Sequence, residues 1–461
     1  MTSNKRDSDM ATRAAVILAA GQGSRMRSAT PKVLHHVGGQ PVLNYAVELA
    51  RNLGCNPIVC VISPRSEALK SHVIDMLGES ALVIQDEPKG TGHAVKCAKD
   101  ALKGLAGNLV VLYGDSPLVT PQTVEALFNE LDADADLGVL GFEAADPGLY
   151  GRLDVSPSGV LEAIIEARDA TPEQLKIKVC NSGVMAGDAE TMFRLLGNVK
   201  NDNVKGEYYL TDLVGLARAE GMNCRTVLAV EAELMGCDRR ADLAAAEAEF
   251  QSRARVAAMD GGATLIDPAS VWFSYDTELS EDVTIEPHVF FGPGVRIGRG
   301  TTIRAFTHIE GATIGDDCTI GPHARLRPGS ELHSDVKIGN FVEVKKTVLG
   351  EGAKVSHLSY LGDGVVGAGA NLGAGTIFCN YDGYFKYKTT IGAGAFVGSN
   401  SALVAPVTIG ENSYVGSGSV ITSDVQSGSL ALGRARQTEK VGWAEHFHAE
   451  MTARKEEGQG G

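Results

Sequence analysis

Two clusters of residues in this 461-residue chain have the types and spacing to do chemistry. The first is Gly21-Gln22-Gly23-Ser24-Arg25-Met26, followed by Pro31-Lys32. Backbone N–H groups laid open by the glycines, together with two cations, form a site suited to a polyphosphate. The loop is not a Walker A loop, because no Lys-Ser or Lys-Thr stands at the required offset. It is not the dinucleotide fingerprint either, because Met26 stands where the last glycine belongs. The second cluster is His357-Leu358-Ser359-Tyr360-Leu361, downstream of Arg325, Arg327, Lys345 and Lys346. An imidazole beside such cations titrates near neutrality and can take a proton. Each cluster alone has a blander reading: a tight turn for the glycines, a solvated charge row for the cations, a satisfied structural role for the histidine.

Different elements must position the two clusters. Ala14–Ala20 is a continuous apolar run ending at the glycine loop, and Pro57–Ile62, Ala81–Gln85, Leu109–Tyr113 and Leu137–Phe142 are further candidate strands. Helical patterns over Val42–Leu53 and Thr91–Leu105 lie between them, so the spacing predicts an α/β doubly wound, Rossmann-like sheet. Ligands of such sheets lie at the carboxyl ends of the strands, where Gly21 and Asp115 both fall. An Ala- and Glu-rich helix, Ala241–Met259, then stops at Gly261-Gly262, which suits a connecting helix with a glycine C-cap.

From Phe273 to Ile421 an apolar residue recurs every six positions. The register runs through Phe273, Leu279, Ile285, Phe291, Ile297, Ile303 and Ile309, drops one residue, and resumes at Ile314, Ile320, Leu326, Leu332, Ile338 and Val344. Two more five-residue steps carry it through Leu349, Val355, Leu361, Val366, Leu372 and Phe378, and it returns at Ile391, Val397, Leu403, Ile409, Val415 and Ile421. Neither a helix nor a simple strand has this period. It predicts an all-β solenoid of hexapeptide repeats, about eight coils and ~40 Å long, with glycines after the apolar position allowing tight corners. The gap between Phe378 and Ile391 holds Asn380-Tyr381 and Lys386, and is expected to project as a loop.

A formal net charge of −15 argues against a nucleic-acid partner. Eight cysteines without a C-x-x-C pair argue against metal clusters and disulfides, and no apolar run is long enough to span a bilayer, so the cytoplasm is the expected compartment.

Leu18-Ala19-Ala20-Gly21-Gln22-Gly23-Ser24-Arg25-Met26 with Pro31-Lys32 resembles the signature of the sugar-1-phosphate nucleotidyltransferases. Gln85, Gly90-Thr91-Gly92-His93-Ala94, Tyr113-Gly114-Asp115-Ser116-Pro117, Tyr150-Gly151-Arg152 and Gly206-Glu207-Tyr208-Tyr209 add to it. The repeats resemble the left-handed parallel β-helix of the hexapeptide acyltransferases, which are trimers. Joined, the two halves resemble bifunctional enzymes that acetylate glucosamine 1-phosphate with acetyl-CoA and couple the resulting N-acetylglucosamine 1-phosphate to UTP, for cell-wall precursors. The resemblance covers about residues 14 to 437. It divides the chain into a uridylyltransferase domain (1–240), a linker helix (241–260), the β-helix (261–437) and a tail (438–461).

In the first site the resemblance implies that Arg25 and Lys32 neutralise the triphosphate beside Leu18, Ala19, Ala20 and Gly21. Gln85, Gly90 and Thr91 read the uracil, alongside Tyr113 and Gly114, and Asp115 holds Mg²⁺. Gly151, Glu166 and Asn181 hold the sugar. The family's second Mg²⁺ ligand is an Asn within Gly-Val-Asn, where this chain has Gly236-Cys237-Asp238. Asp238 either ligates Mg²⁺ or caps the following helix. On the rod the resemblance makes His357 the general base. Arg327 and Lys345 take the sugar phosphate, Tyr360 and Asn371 the sugar, and Ala374, Asn380, Tyr381, Ser399, Ser417 and Arg434 the acetyl-CoA. Ser417 departs from a common alanine, and Arg436 stands where proline is usual. Two rival readings keep the rod as a regulatory module or as an assembly scaffold.

Overall fold

The computed structural model describes residues 12–458. The chain forms two compact units, one made of residues up to 257 together with 273–275, the other of 258–272 and 276 onward.

In the first unit the strand Arg13–Ala19 is central because its residues from Ala14 on are buried, as a strand covered on both faces requires. The sheet runs Cys224–Ala229, Leu137–Glu143, Val179–Asp188, Asn108–Tyr113, Arg13–Ala19, Ile58–Ile62, Leu82–Ile84. Val179–Asp188 pairs antiparallel with both neighbours, whereas the other pairings along this path are parallel. This reversed strand was not foreseen. Its ten residues carry a register shift between Asn181 and Met185, which obscures the alternation that would have exposed it. The expected helix from Thr91 ends early, at Cys97. Past it the chain tightens into i→i−3 turns, with Ala98 N–H donating to Val95 O and Lys99 N–H to Lys96 O. The connecting helix spans Arg240–Asp260. Gln251 on it receives the Phe273 N–H at 2.8 Å and donates to Phe273 O at 2.7 Å. Phe273 therefore belongs to this unit, although its spacing made it the first interior residue of the rod.

The second unit is a three-faced parallel coil. One face stacks ten strands from Thr264–Leu265 to Leu430–Ala431. That exceeds the expected eight because Leu265 and Ala431 stand outside the six-residue register. The two later five-residue steps share a form: Glu343–Leu349 and Tyr360–Val366 are unbroken strands that run through the corner from one face to the next, each turned at one left-handed residue, Lys346 at φ 44° and Asp363 at φ 52°.

Of the glycines after the interior positions, Gly321 sits at φ 93° as a corner residue would, whereas others act differently from the expected corner role. Gly392 and Gly398 do not sit at positive φ; a Cβ on either would lie 2.5 and 2.4 Å from backbone nitrogen of the next coil. One row of left-handed corners is taken by His288, Phe306, His323, Phe341 and Leu358, with φ between 51° and 60°, while glycines such as Gly294, Gly300 and Gly311 take others. The rings of the first four stack at 4.9 to 5.1 Å, one per coil. The segment between Phe378 and Ile391 does leave the rod: Asp382 accepts from the Tyr384 and Phe385 N–H groups, and both aromatic residues are exposed.

Candidate functional sites

In the first unit a cavity of about 430 Å³ opens at the carboxyl ends of the strands. Leu18, Ala19, Ala20, Gly21, Lys32, Gln85, Gly90, Thr91, Tyr113, Asp115 and Asp238 line it. Gly23, at φ 59°, permits the approach of Lys32, since a Cβ there would lie 2.7 Å from Lys32 Cβ. Lys32 Nζ meets the carboxylate of Asp115 and lies 3.0 Å from Asp238 Oδ1, while Arg25 lies 2.9 Å from Asp238 Oδ2. Burial by itself would lower the Lys32 pKa, but Asp115 and then Asp238 override it and hold the ammonium above its usual range. Burial, then Asp115 and Glu166, raise the Tyr113 phenol above its usual range.

Asp238 does not cap the connecting helix. Its carboxylate is given to Lys32 and Arg25, and Asp242 instead reaches back to the N–H groups of Asp238 and Arg239. Cys237 N–H donates to Asp115 O at 2.8 Å, so the two acidic segments are stitched together. Two carboxylates converging on one cation, here the Lys32 ammonium, form a donor set that fits a hard divalent ion. Among the described residues no group of three or more His, Cys, Asp and Glu could hold a metal. Mg²⁺ that also binds phosphates needs only one or two protein carboxylates.

A second cavity of about 890 Å³ shares Tyr150 and Asp238 with the first and holds Arg25 and Glu166. Gly151 and Asn181 adjoin through Asn181 N–H donating to Gly151 O at 2.8 Å. Gly114 lines neither cavity; its N–H donates to Leu18 O, and its missing Cβ makes room for Leu43.

Sequence reasoning missed what holds this site. Gly90, at φ 104°, could not carry a Cβ, which would lie 2.5 Å from Tyr208 O. Tyr208 N–H donates to Lys89 O, Gly92 N–H to Tyr208 O, and Leu210 N–H to Thr91 Oγ1. The motif around Tyr208 is thus a backbone clamp on the Gly90 loop. Arg152 is buried and donates to the carbonyls of Pro147, Gly148 and Tyr150, holding the loop that presents Tyr150 and Gly151. Both motifs were visible in the sequence, but the backbone pairing of the Tyr208 motif across more than a hundred residues was not, nor was the folding of the Arg152 side chain back onto its own loop.

On the rod, register places the residues. Asn340 pairs with His357, and two residues beyond the successive partners Val355, Leu372, Val397 and Val415 stand His357, Ala374, Ser399 and Ser417. These form one column along a corner, rising ~4.8 Å per coil. Arg434 follows at the next coil, near Gly418. His357 is exposed, and its Nδ1 lies 2.5 Å from Asn340 Oδ1. With Asn340 Oδ1 accepting, Nδ1 carries the proton and Nε2 keeps its lone pair. Asn340 was not foreseen, although it holds the equivalent position one coil earlier.

On the adjoining face Arg327 and Lys345 occupy equivalent positions one coil apart. Arg327 pairs with Glu343 at 2.8 Å. Close approach of Lys386 from the projecting loop, with Arg327 adding, lowers the Lys345 pKa. Such a crowd of cations favours an anion, and Lys386 is a second residue that sequence reasoning left unassigned. Tyr360 stands beside Asn380: the space over Gly362 is bounded by Tyr360 Oη and Asn380 Nδ2. Asn380 donates to Asp363 at 2.6 Å, Asn371 lies on the face that carries Lys354, and Tyr381 is exposed on the loop.

A nucleotidyltransferase-type sheet followed by a hexapeptide rod defines a transferase with two catalytic halves. Residues 15–172 match the MobA-like NTP transferase domain, and 311–346 and 388–423 match the bacterial transferase hexapeptide repeats. The chain is 58% identical over 443 residues to the bifunctional protein GlmU of Hyphomonas neptunium, covering 96% of each. It is 54% identical to that of Caulobacter vibrioides, covering 96% of each, and 51% identical to that of Paramagnetospirillum magneticum, covering 96% of this chain and 98% of the relative. The chain belongs to the GlmU family of bifunctional proteins, and is both a uridyltransferase and an acetyltransferase. Its rod is the left-handed parallel β-helix expected of the repeats.

Proposed function

We propose that the rod acetylates glucosamine 1-phosphate and that the sheet domain joins N-acetylglucosamine 1-phosphate to UTP. On the rod, Arg327, Lys345 and Lys386 hold the sugar phosphate. His357 Nε2 takes a proton from the amine as its nitrogen attacks the thioester carbonyl; the C–S bond breaks and coenzyme A leaves as the thiol. Tyr360 and Asn371 orient the sugar, and Ala374, Asn380, Tyr381, Ser399, Ser417 and Arg434 accommodate acetyl-CoA along the corner column.

In the sheet domain an oxygen of the sugar phosphate attacks the α-phosphorus of UTP in line, and the bond to the β-phosphate oxygen breaks to release pyrophosphate. Lys32, Arg25 and the Gly21 loop position and neutralise the triphosphate, Gln85 with Gly90 and Thr91 take the base, and Gly151, Glu166 and Asn181 take the sugar. Asp115 and Asp238 would hold Mg²⁺, which supplies charge neutralisation on the phosphates. Asp238 offers a carboxylate where an amide is usual in the family, so Lys32 and Arg25 balance one more negative charge.

The observations that support an active rod are the column that sets His357 at the foot of Ala374, Ser399 and Ser417, and the cluster of cations around Lys345 on the adjoining face. We further propose a cytoplasmic homotrimer, in keeping with the acyltransferase rods it resembles. Among the described residues no helix is long and apolar enough to cross a membrane. Supplied with glucosamine 1-phosphate, acetyl-CoA, UTP and Mg²⁺, the purified protein should release free thiol and pyrophosphate. Pyrophosphate without thiol, obtained on N-acetylglucosamine 1-phosphate, would reduce the rod to a scaffold. Sedimentation should give three chains per particle, and a monomer at micromolar concentration would refute the shared assembly.

A further inference from the structure

Against Gln85 stands His93, a polar residue that does not line the first cavity and to which the reaction assigns no task. Gln85 is buried and lines the cavity. Its Nε2 lies 3.0 Å from Gly90 O and 3.1 Å from His93 Nδ1. A carbonyl only accepts, so the Gln85 atom facing Gly90 must be the NH₂ group; the flipped amide would set two oxygens against each other. The second proton of that NH₂ then goes to His93, which must present a bare Nδ1 and carry its own proton on Nε2. Both donors of Gln85 are spent on the protein, and Oε1 is what remains for a ligand.

We propose that His93 is a positioning residue that locks the Gln85 amide with its oxygen toward the base, and thereby selects a pyrimidine with N3–H over one without. Uracil carries a proton on N3 and matches an acceptor, whereas cytosine presents a lone pair there and faces Oε1 with like charge. A site built to receive an N–H rejects an analogue lacking it far more strongly than a merely hydrophobic pocket does. This rests on the assignment of Gln85 to the uracil edge.

The surroundings keep His93 in the state required. Burial, then Lys89 and Lys96, hold its pKa below the usual range, against a smaller opposing effect of Glu87. Cys97 Sγ and the Tyr208 ring complete its contacts, at 4.0 and 6.4 Å, and neither is a cation. A cavity of about 350 Å³ beside it, lined by Lys89, Lys96, Cys97 and Tyr208 among others, leaves room for a smaller side chain.

The test is the ratio of kcat/KM for UTP over CTP in pyrophosphate release by the full chain. His93→Leu removes one of the two acceptors that hold the amide, leaving Gly90 O alone to orient it, and should lower that ratio at least about tenfold, through KM more than kcat, with CTP gaining. His93→Asn restores an acceptor near the place of Nδ1 and should recover most of the ratio. An unaltered ratio in His93→Leu, or equal losses in the Leu and Asn variants, overturns the proposal. Gln85→Ala separates the two assumptions. If it leaves the ratio intact, Gln85 does not read the base; if it abolishes the ratio while His93→Leu does not, only the lock is wrong. Nitrogen-15 imidazole spectra of the wild-type protein give a reading independent of any variant: Nε2–H with bare Nδ1 is expected, and a protonated Nδ1 would refute the lock.

Discussion

The two halves of this chain assemble their sites in opposite ways. The sheet domain gathers Lys32, Asp115 and Asp238 from positions as much as 206 residues apart and seals them in a cavity, where their charges are mutually compensated. The rod takes residues one coil apart and lines them along an open corner, where His357 is exposed and Lys345 is crowded by other cations. One site depends on tertiary closure, the other on register. The first resists single changes poorly because its members hold one another; the second should lose only what the altered residue itself contributes.

If that contrast holds, the two activities separate cleanly. His357→Ala should reduce acetyl transfer by about 10²–10⁴-fold, the range of a general base, with pyrophosphate release on N-acetylglucosamine 1-phosphate at the wild-type rate. Parallel loss of both would show that the sites are not independent. Lys32→Ala should lower uridylyl transfer by about 10²–10³-fold and also strip the counterion from two facing carboxylates. Thiol release by the rod is the control, and a fall there would break the comparison from the other side.

Gly90→Ala tests closure rather than chemistry. The residue lies in a backbone region that only glycine enters readily, and the added methyl meets Tyr208 O, so a loss of about 1–3 kcal/mol is expected. Thermal unfolding should show the first unit melting several degrees lower, with KM for UTP raised; an unaltered melt would mean that the Tyr208 clamp yields.

The smallest effect concerns Asp212. Burial first, then Glu166, Asp202 and Asp169, push its carboxyl up to about 6. The folded state thus binds a proton that the unfolded chain has released, and stability falls as pH rises from about 4 to 6. Allowing for its partial exposure, Asp212→Asn should add about 1 kcal/mol at pH ~8 and nothing at pH ~4. A gain of equal size at both would exclude the carboxylate as its source.

The same contrast governs what could be read in advance. On the rod the spacing itself gave the interior residues, and the five-residue steps proved to be strands running through a corner. Even Asn340 could have been placed from its spacing to His357. In the sheet domain the glycine loop, Lys32 and Asp115 were legible because strand ends and glycines leave local marks. The reversed strand Val179–Asp188 and the Tyr208 clamp were not, because they rest on backbone groups whose pairing no side chain announces; the Arg152 brace was not, because its partners are the carbonyls of an irregular loop. Asp238 was open between ligand and cap, and its partners Lys32 and Arg25 decided against the cap.

The corner column turns the rod into a measuring device. Each coil lifts the chain by one strand spacing, so the three coils from His357 to Ser417 set a fixed length of ~14 Å along which an extended acyl donor can lie. That length is indifferent to the sequence between the corners: the coil from Ala374 to Ser399 spends 25 residues rather than 17 or 18 and rises no further, because its surplus is thrown outward as the loop bearing Lys386. The fold can therefore change what it recognises by lengthening loops while the graduation of the scale stays the same.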